Sequence, residues 1–205
     1  MKKQQIKDIK QNPIEEFCEI YEAFIERAGA DKLLDYLKKS DFCTAPASTR
    51  FHLAEESGLI KHSINVYKRL VSLVEKEYGE DWENVYSHET VALVSLLHDA
   101  CKIGTYKVDY RNVKDSTGAW VKEPFYKVEE DLPYGHGEKS VYIVSGFIRL
   151  SREEAMAINW HMGGFDERAK SFALSSAMAK YPLAVMLHTA DFLATYLDEK
   201  SIEGK

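Results

Sequence analysis

Cysteine is scarce in this chain. Cys18, Cys43 and Cys101 are odd in number, widely spaced and form no CxxC pair. That excludes a disulfide framework and reads as reduced thiols in a cytoplasmic protein. No apolar run approaches the ~20 residues that a membrane span needs. The Met1–Lys7 start lacks the apolar stretch that follows in a secretory signal, so neither membrane nor export is expected. A basic tract is also missing: acids and bases are interspersed and the formal net charge is -6. Binding to duplex nucleic acid is therefore not expected, although a local basic pocket is compatible with the composition. No internal repeat or low-complexity stretch occurs. What is present is an ordinary globular mixture of 205 residues, 45% of them apolar, enough to fill a core. The length suggests one domain spanning 1–205, with 1–45 as an N-terminal helical segment.

The spacing of apolar residues is mostly helical. Pro13 begins a stretch with Ile14, Phe17, Cys18, Tyr21, Phe24 and Ile25 at helical intervals, closed by Gly29. Asp31 suits the cap of a short helix through Lys39, and residues 40–49 read as irregular. Gly58 to Tyr78 reads as a long helix stopped by Gly79. Ser87 caps a helix that carries the apolar run from Val91 to His98 and Asp99, with Gly104 as its end. Ser151 and Glu154 form a capping-box pattern for a helix to about His161. Pro182 suits the first turn of a last helix, which carries His188 and Asp191. Residues 105–128 break this period. They alternate, are rich in Tyr, Val, Trp and Phe, and hold Asp115-Ser-Thr-Gly118 in their middle, which predicts an inserted β-hairpin. The predicted fold class is all-α with that hairpin as a small insertion.

His98 and Asp99 are adjacent where a buried helix is about to end. A charge there must be paired or bound to a metal. His62, His136, His161 and Asp191 follow the same pattern, each in or beside an apolar, helix-like segment. Together they supply imidazole and carboxylate ligands for one or two divalent transition metals. Adjacent helical side chains diverge by roughly 100°, and a bridging Asp99, one oxygen to each metal, would use that divergence. Each position taken singly has a plainer reading: a lone histidine in an apolar helix fits a hydrogen-bonded core residue, and Asp191 fits a buried ion pair. His52 and His88 read as surface or supporting residues. Lys102, one turn beyond the pair, either stabilises charge on a phosphoryl oxygen or is a solvated lysine near a helix C-terminus.

These residues resemble a known family. His62, His98-Asp99 and Asp191 look like the H…HD…D signature of the HD-domain metal-dependent phosphohydrolases, and His136 and His161 extend it to the pattern of branches that hold two metals. The likeness covers roughly residues 50–198, as the core of the domain. It implies an HD-domain helical bundle with His62, His98, Asp99 and Asp191 on one metal, and Asp99, His136 and His161 on the second. The implied metals are Mn, Fe, Co, Ni or Zn. It further implies that a metal-bound hydroxide attacks phosphorus, with Asp99 and Lys102 as the catalytic residues. The sequence departs from the HD-x-Gly-Lys form, because Cys101 stands where glycine is usual. A thiol there either packs as a structural residue or makes the site sensitive to oxidation.

The expected partner is a small phosphorylated, nucleotide-like substrate. Arg50, Lys102 and Lys139 are candidates for phosphate oxygens. Tyr106, Arg111 and Trp120 on the hairpin are candidates to cover the pocket and stack on a base, and Gly163-Gly164 suggests a flexible rim. Two other functions fit the same resemblance: an HD-type di-iron oxygenase, and a nucleotide sensor that keeps the metals without turnover.

Overall fold

The computed structural model of the chain describes residues 12–170 and 172–199. It is mostly helical, with one two-stranded antiparallel sheet. Helix α1 spans Pro13–Phe24, with Pro13 in its first turn and the Asn12 side chain accepting from the Ile14 N–H. It ends five residues before Gly29. The backbone N–H groups of Glu26 and Arg27 leave the helix and donate to Glu89 Oε1 at 3.0 and 2.8 Å. Helix α2 is Ala30–Lys39. Its N-cap is Gly29, at φ 93, rather than Asp31, which sits in the first turn. An ideal Cβ on Gly29 would lie 2.0 Å from the Phe147 carbonyl oxygen, so the turn needs glycine for space as well as for φ.

Helix α3 (Gly58–Tyr78) is the spine, and Gly79 stops it as expected. Helix α4 (His88–Leu97) packs against it, capped by Ser87, whose side chain accepts from the Thr90 N–H. Every residue from Val91 to Leu97 is buried, so α4 is a central helix with no wet face. A tight 3-10 turn, Ala100–Lys102, follows, and Gly104 at φ 71 redirects the chain. The hairpin comes next, β1 (Tyr106–Lys114) and β2 (Trp120–Val128), in register from Tyr106–Val128 at its root to Lys114–Trp120 at its tip. Asp115 Oδ1 accepts from the Thr117 and Ala119 N–H groups to close the turn.

Helices α5 (His136–Ser145) and α6 (Arg152–Trp160) form the next pair. Gly137 lets them touch, since a Cβ there would fall 2.2 Å from the Asn159 carbonyl oxygen. Ser151 and Glu154 form the expected capping box. Helix α7 (Phe172–Lys180) has no counterpart in the sequence reading, and α8 (Pro182–Leu193) runs back along α3 and α6 into a π-helical turn, Ala194–Asp198. One buried apolar cluster draws side chains from α1, α2, α3, α4, α5, α6 and α8. Among the described residues, no helix is long and apolar enough to cross a membrane.

Arg27 ties three of these elements together. Its guanidinium donates in parallel to both oxygens of Glu154 at 2.9 Å and to Glu89 Oε2 at 3.1 Å. Glu154 is buried and also accepts from Thr90 Oγ1 and the Ser151 N–H. The turn after α1 is thus locked to the N-termini of α4 and α6.

Candidate metal centre

Helix α4 stops at Leu97, and Asp99 takes a bridge conformation (φ -101, ψ 20). That break lets two consecutive side chains converge on one point. His98 is held by its Nδ1–H, which donates to the Ser95 carbonyl three residues back at 2.7 Å. His161 closes α6 with the same device, Nδ1–H to the Ile158 carbonyl at 2.7 Å. Both rings therefore present a bare Nε2 inward; the tautomers are assigned from these bonds. His62, on α3, presents Nε2 to the same centre while its Nδ1–H faces both oxygens of Glu199 at 3.0 Å.

Asp99 is the hub. Its Oδ2 lies 3.5 Å from His98 Nε2, 3.6 Å from His62 Nε2 and 2.6 Å from Lys102 Nζ. Its Oδ1 lies 2.8 Å from His136 Nε2 and 3.4 Å from His161 Nε2. Asp191 Oδ1 sits 3.2 Å from His62 Nε2, and the Nε2 atoms of His62 and His98 are 3.2 Å apart. All six ligand candidates from the sequence thus meet in one cluster, with His62, His98, Asp99 and His161 buried and His136 and Asp191 half-buried at its edge. These groups are close enough to hold a metal ion.

The donor set fits cations on two grounds. His161 Nε2 is fully buried, aims at a carboxylate oxygen and has no hydrogen-bond partner among the described residues. Burial also holds the His161 imidazole below its ordinary pKa, which leaves that nitrogen a bare lone pair. Elsewhere the cluster's charges lean on one another. Burial alone would neutralise His62, but its bonds to Asp191 and Glu199 outweigh burial and raise it to about 10. Asp99 would rise on burial, yet the adjacent Lys102 and His98 hold it well below the carboxylate range.

Sequence reasoning missed the roles of Glu199 and His188, while His52, read as a surface or supporting residue, takes the supporting place. Glu199 is buried just beyond the π-helical turn, bonded to His62 and to Asn65 Nδ2 at 3.0 Å, while Arg69 pairs with the neighbouring Asp198. His62, Asn65 and Arg69 share one face of α3, so that face holds the turn in place. Glu199 orients the His62 ring as carboxylates orient metal-bound imidazoles. Glu199→Gln is expected to weaken metal retention about 10–100-fold; titration with a competing chelator reads this, and unchanged affinity removes Glu199 from the site. His52 lies over His62 and, under burial and the nearby His62 and Lys102, falls to about 4. His188 Nδ1–H donates to the His161 carbonyl at 2.6 Å, and its ring packs where a Cβ on Gly163 would stand. Gly163 at φ 54 is therefore a close-packing position as much as a rim.

A cavity of about 630 Å³ opens onto the cluster, lined by Asp99, Lys102, Tyr106, His52, His188 and the aromatic side chains Phe51, Phe165, Phe192 and Tyr196. Of the expected substrate contacts, Lys102 and Tyr106 face it; the others do not. Lys139 is buried beneath the hairpin root, bonded to Glu130 at 2.7 Å and Thr105 Oγ1 at 3.1 Å. Arg111 pairs with Glu123 across the hairpin. Trp120 stands at the hairpin tip under Lys114, about 27 Å of strand from the root. Arg50 stacks on Phe51 and is exposed outside the cavity lining. The chain matches no family model, and it matches no curated protein and no solved structure.

Proposed function

We propose that this chain is a metal-dependent phosphohydrolase of the HD-domain type, acting on a nucleotide or a related small phosphate ester. The observation that carries the reading is the division of Asp99: Oδ2 turns to His62 and His98, and Oδ1 to His136 and His161. A carboxylate set between two nitrogen clusters suits a bridge between two cations. His62, His98, Asp99 and Asp191 would hold one, and Asp99, His136 and His161 the other. The imidazole-rich mixture favours Mn, Fe, Co, Ni or Zn over Mg. When bound, such cations supply Lewis acidity toward a phosphoryl oxygen and toward water.

The chain's own groups supply the rest. Lys102 is nearly buried, anchored by Asp99 Oδ2 and by the Ala47 carbonyl, each at 2.6 Å. Its ammonium carries fixed positive charge to the cavity floor, where it donates to a phosphoryl oxygen and offsets the charge that develops there. Phe165 and Phe192 lie nearly parallel, 6.3 Å apart, and Phe192 meets Tyr196 at 4.6 Å. This wall offers a base a stacking surface. It replaces the distal hairpin as the stacking element of the sequence reading.

Lys102→Ala is expected to lower turnover about 10²–10³-fold with metal content unchanged. Single-turnover kinetics beside metal analysis checks this, and wild-type turnover would take Lys102 out of the mechanism. The function itself is tested by a product screen with Mn, Co, Ni, Zn and Mg supplied in turn, across mononucleotides, cyclic and linear dinucleotides, dinucleoside polyphosphates and short single-stranded RNA. Hydrolysis that a chelator stops and a transition metal restores is expected. Oxygen consumption by the iron-loaded protein in place of hydrolysis would transfer the site to oxygenase chemistry. Ligand-dependent melting without products would transfer it to sensing.

A further inference from the structure

We propose that Cys101 is itself a ligand, and that with Asp99, His136 and His161 it makes a thiolate-containing position for a zinc-class cation. The inference rests on the reading that this cluster holds metal, and it goes further by naming a donor and the selectivity that follows. Cys101 Sγ lies 3.3 Å from His136 Nε2 and 4.0 Å from Asp99 Oδ1. Asp99 Oδ1 in turn lies 2.8 Å from His136 Nε2 and 3.4 Å from His161 Nε2. Around a tetrahedral zinc, with bonds of about 2.0 Å to N or O and about 2.3 Å to S, neighbouring donors stand about 3.3–3.5 Å apart. The four observed separations bracket that range.

A second observation points to the same place. His161 Nε2 is wholly buried, without a hydrogen-bond partner among the described residues, and directed at the oxygen that the cysteine and His136 approach. Cys101 is also fixed rather than adventitious: it is buried, and its backbone N–H donates to Ser140 Oγ on α5 at 3.0 Å. Cys43 differs, since its sulfur meets the Leu37 carbonyl at 3.8 Å and belongs to none of the clustered metal-ligating groups among the described residues. Coordination would exchange the Sγ–H proton for the cation, the proton leaving to solvent, because a coordinating thiol is deprotonated outright. A thiolate selects zinc, cobalt(II) or iron(II) over manganese or magnesium.

The test uses the full chain reconstituted with two equivalents of Zn(II) or Co(II). X-ray absorption of the zinc form is expected to show a sulfur scatterer at about 2.3 Å. The cobalt form is expected to show a thiolate-to-metal charge-transfer band that Cys101→Ser and Cys101→Gly abolish and Cys18→Ser retains. In Cys101→Ser, affinity for the weaker zinc equivalent is expected to fall about 10-fold or more, with manganese affinity little changed. Two bound metals without a sulfur scatterer, or a band that survives Cys101→Ser, would overturn this inference and leave the phosphohydrolase reading standing. Failure to bind any metal would overturn both. The absorption measurement needs no variant, so a misfolded substitution does not decide the matter.

Discussion

Asp99→Asn is expected to lower turnover about 10³-fold and to strip the purified protein of most of its metal. The substitution keeps the shape of the side chain and removes its charge. Among the described residues Asp99 faces both nitrogen clusters, with His62 and His98 on one oxygen and His136 and His161 on the other. An amide is neutral and offers one acceptor oxygen and a donor –NH₂, so both clusters lose their anionic partner and one of them faces a donor whichever way the amide turns. Lys102 loses its counter-charge at the same time and keeps the neutral Ala47 carbonyl. Elemental analysis and turnover are measured together on protein shown to be folded. A variant that keeps both metals and full activity would rule out the proposed centre.

Arg27→Ala is expected to destabilise the fold by about 3–5 kcal/mol, the range for removing one partner of a buried ion pair. Glu154 would remain buried with only neutral donors, Thr90 and the Ser151 N–H, in place of a two-pronged guanidinium. For a chain of this length that corresponds to a fall in Tm of roughly 10 °C. The effect carries a pH signature. Burial would raise the Glu154 carboxyl, but its bonds to Arg27 and the Ser151 N–H outweigh burial and hold it below the ordinary value. A depressed carboxyl contributes stability above its unfolded pKa, about 4.3, and that contribution disappears as pH falls through the folded value. The gap between wild type and Arg27→Ala is therefore full at neutral pH and narrows in acid. Urea melts at neutral and acidic pH measure it; a gap independent of pH would assign the loss to packing of the arginine stem.

The long elements were legible in the sequence because several signals agreed on each. Helix α3 has an apolar stripe and a glycine stop, α6 has a capping box, α8 has proline in its first turn, and the hairpin has alternation around Asp115–Gly118. The end of α1 was not legible. Its apolar spacing runs on past Phe24, but the Glu89 carboxylate, distant in sequence, takes the next N–H groups. Helix α7 buries Ala177 and little else, so it lacks a strong amphipathic signal. The ligand candidates stood out because imidazoles and carboxylates in apolar surroundings are conspicuous. Glu199 lies among polar neighbours, and nothing short of the folded backbone distinguishes it from a solvated acid. The hairpin contacts failed for a geometric reason. Nearness in sequence to the root says nothing about the tip when each strand residue advances about 3.3 Å.

The donors that converge at Asp99 are drawn from remote stretches of the chain. His62 and His98 are separated by 36 positions, Asp99 and His136 by 37, and His62 and Glu199 by 137. No fragment that stops before Asp191 can assemble the whole constellation, so during synthesis the cluster stays incomplete until α8 has docked. On the proposed reading, a cation that entered then would act as a clasp on the finished topology: at a hundred times its dissociation constant it would add about 2.7 kcal/mol to the native state alone.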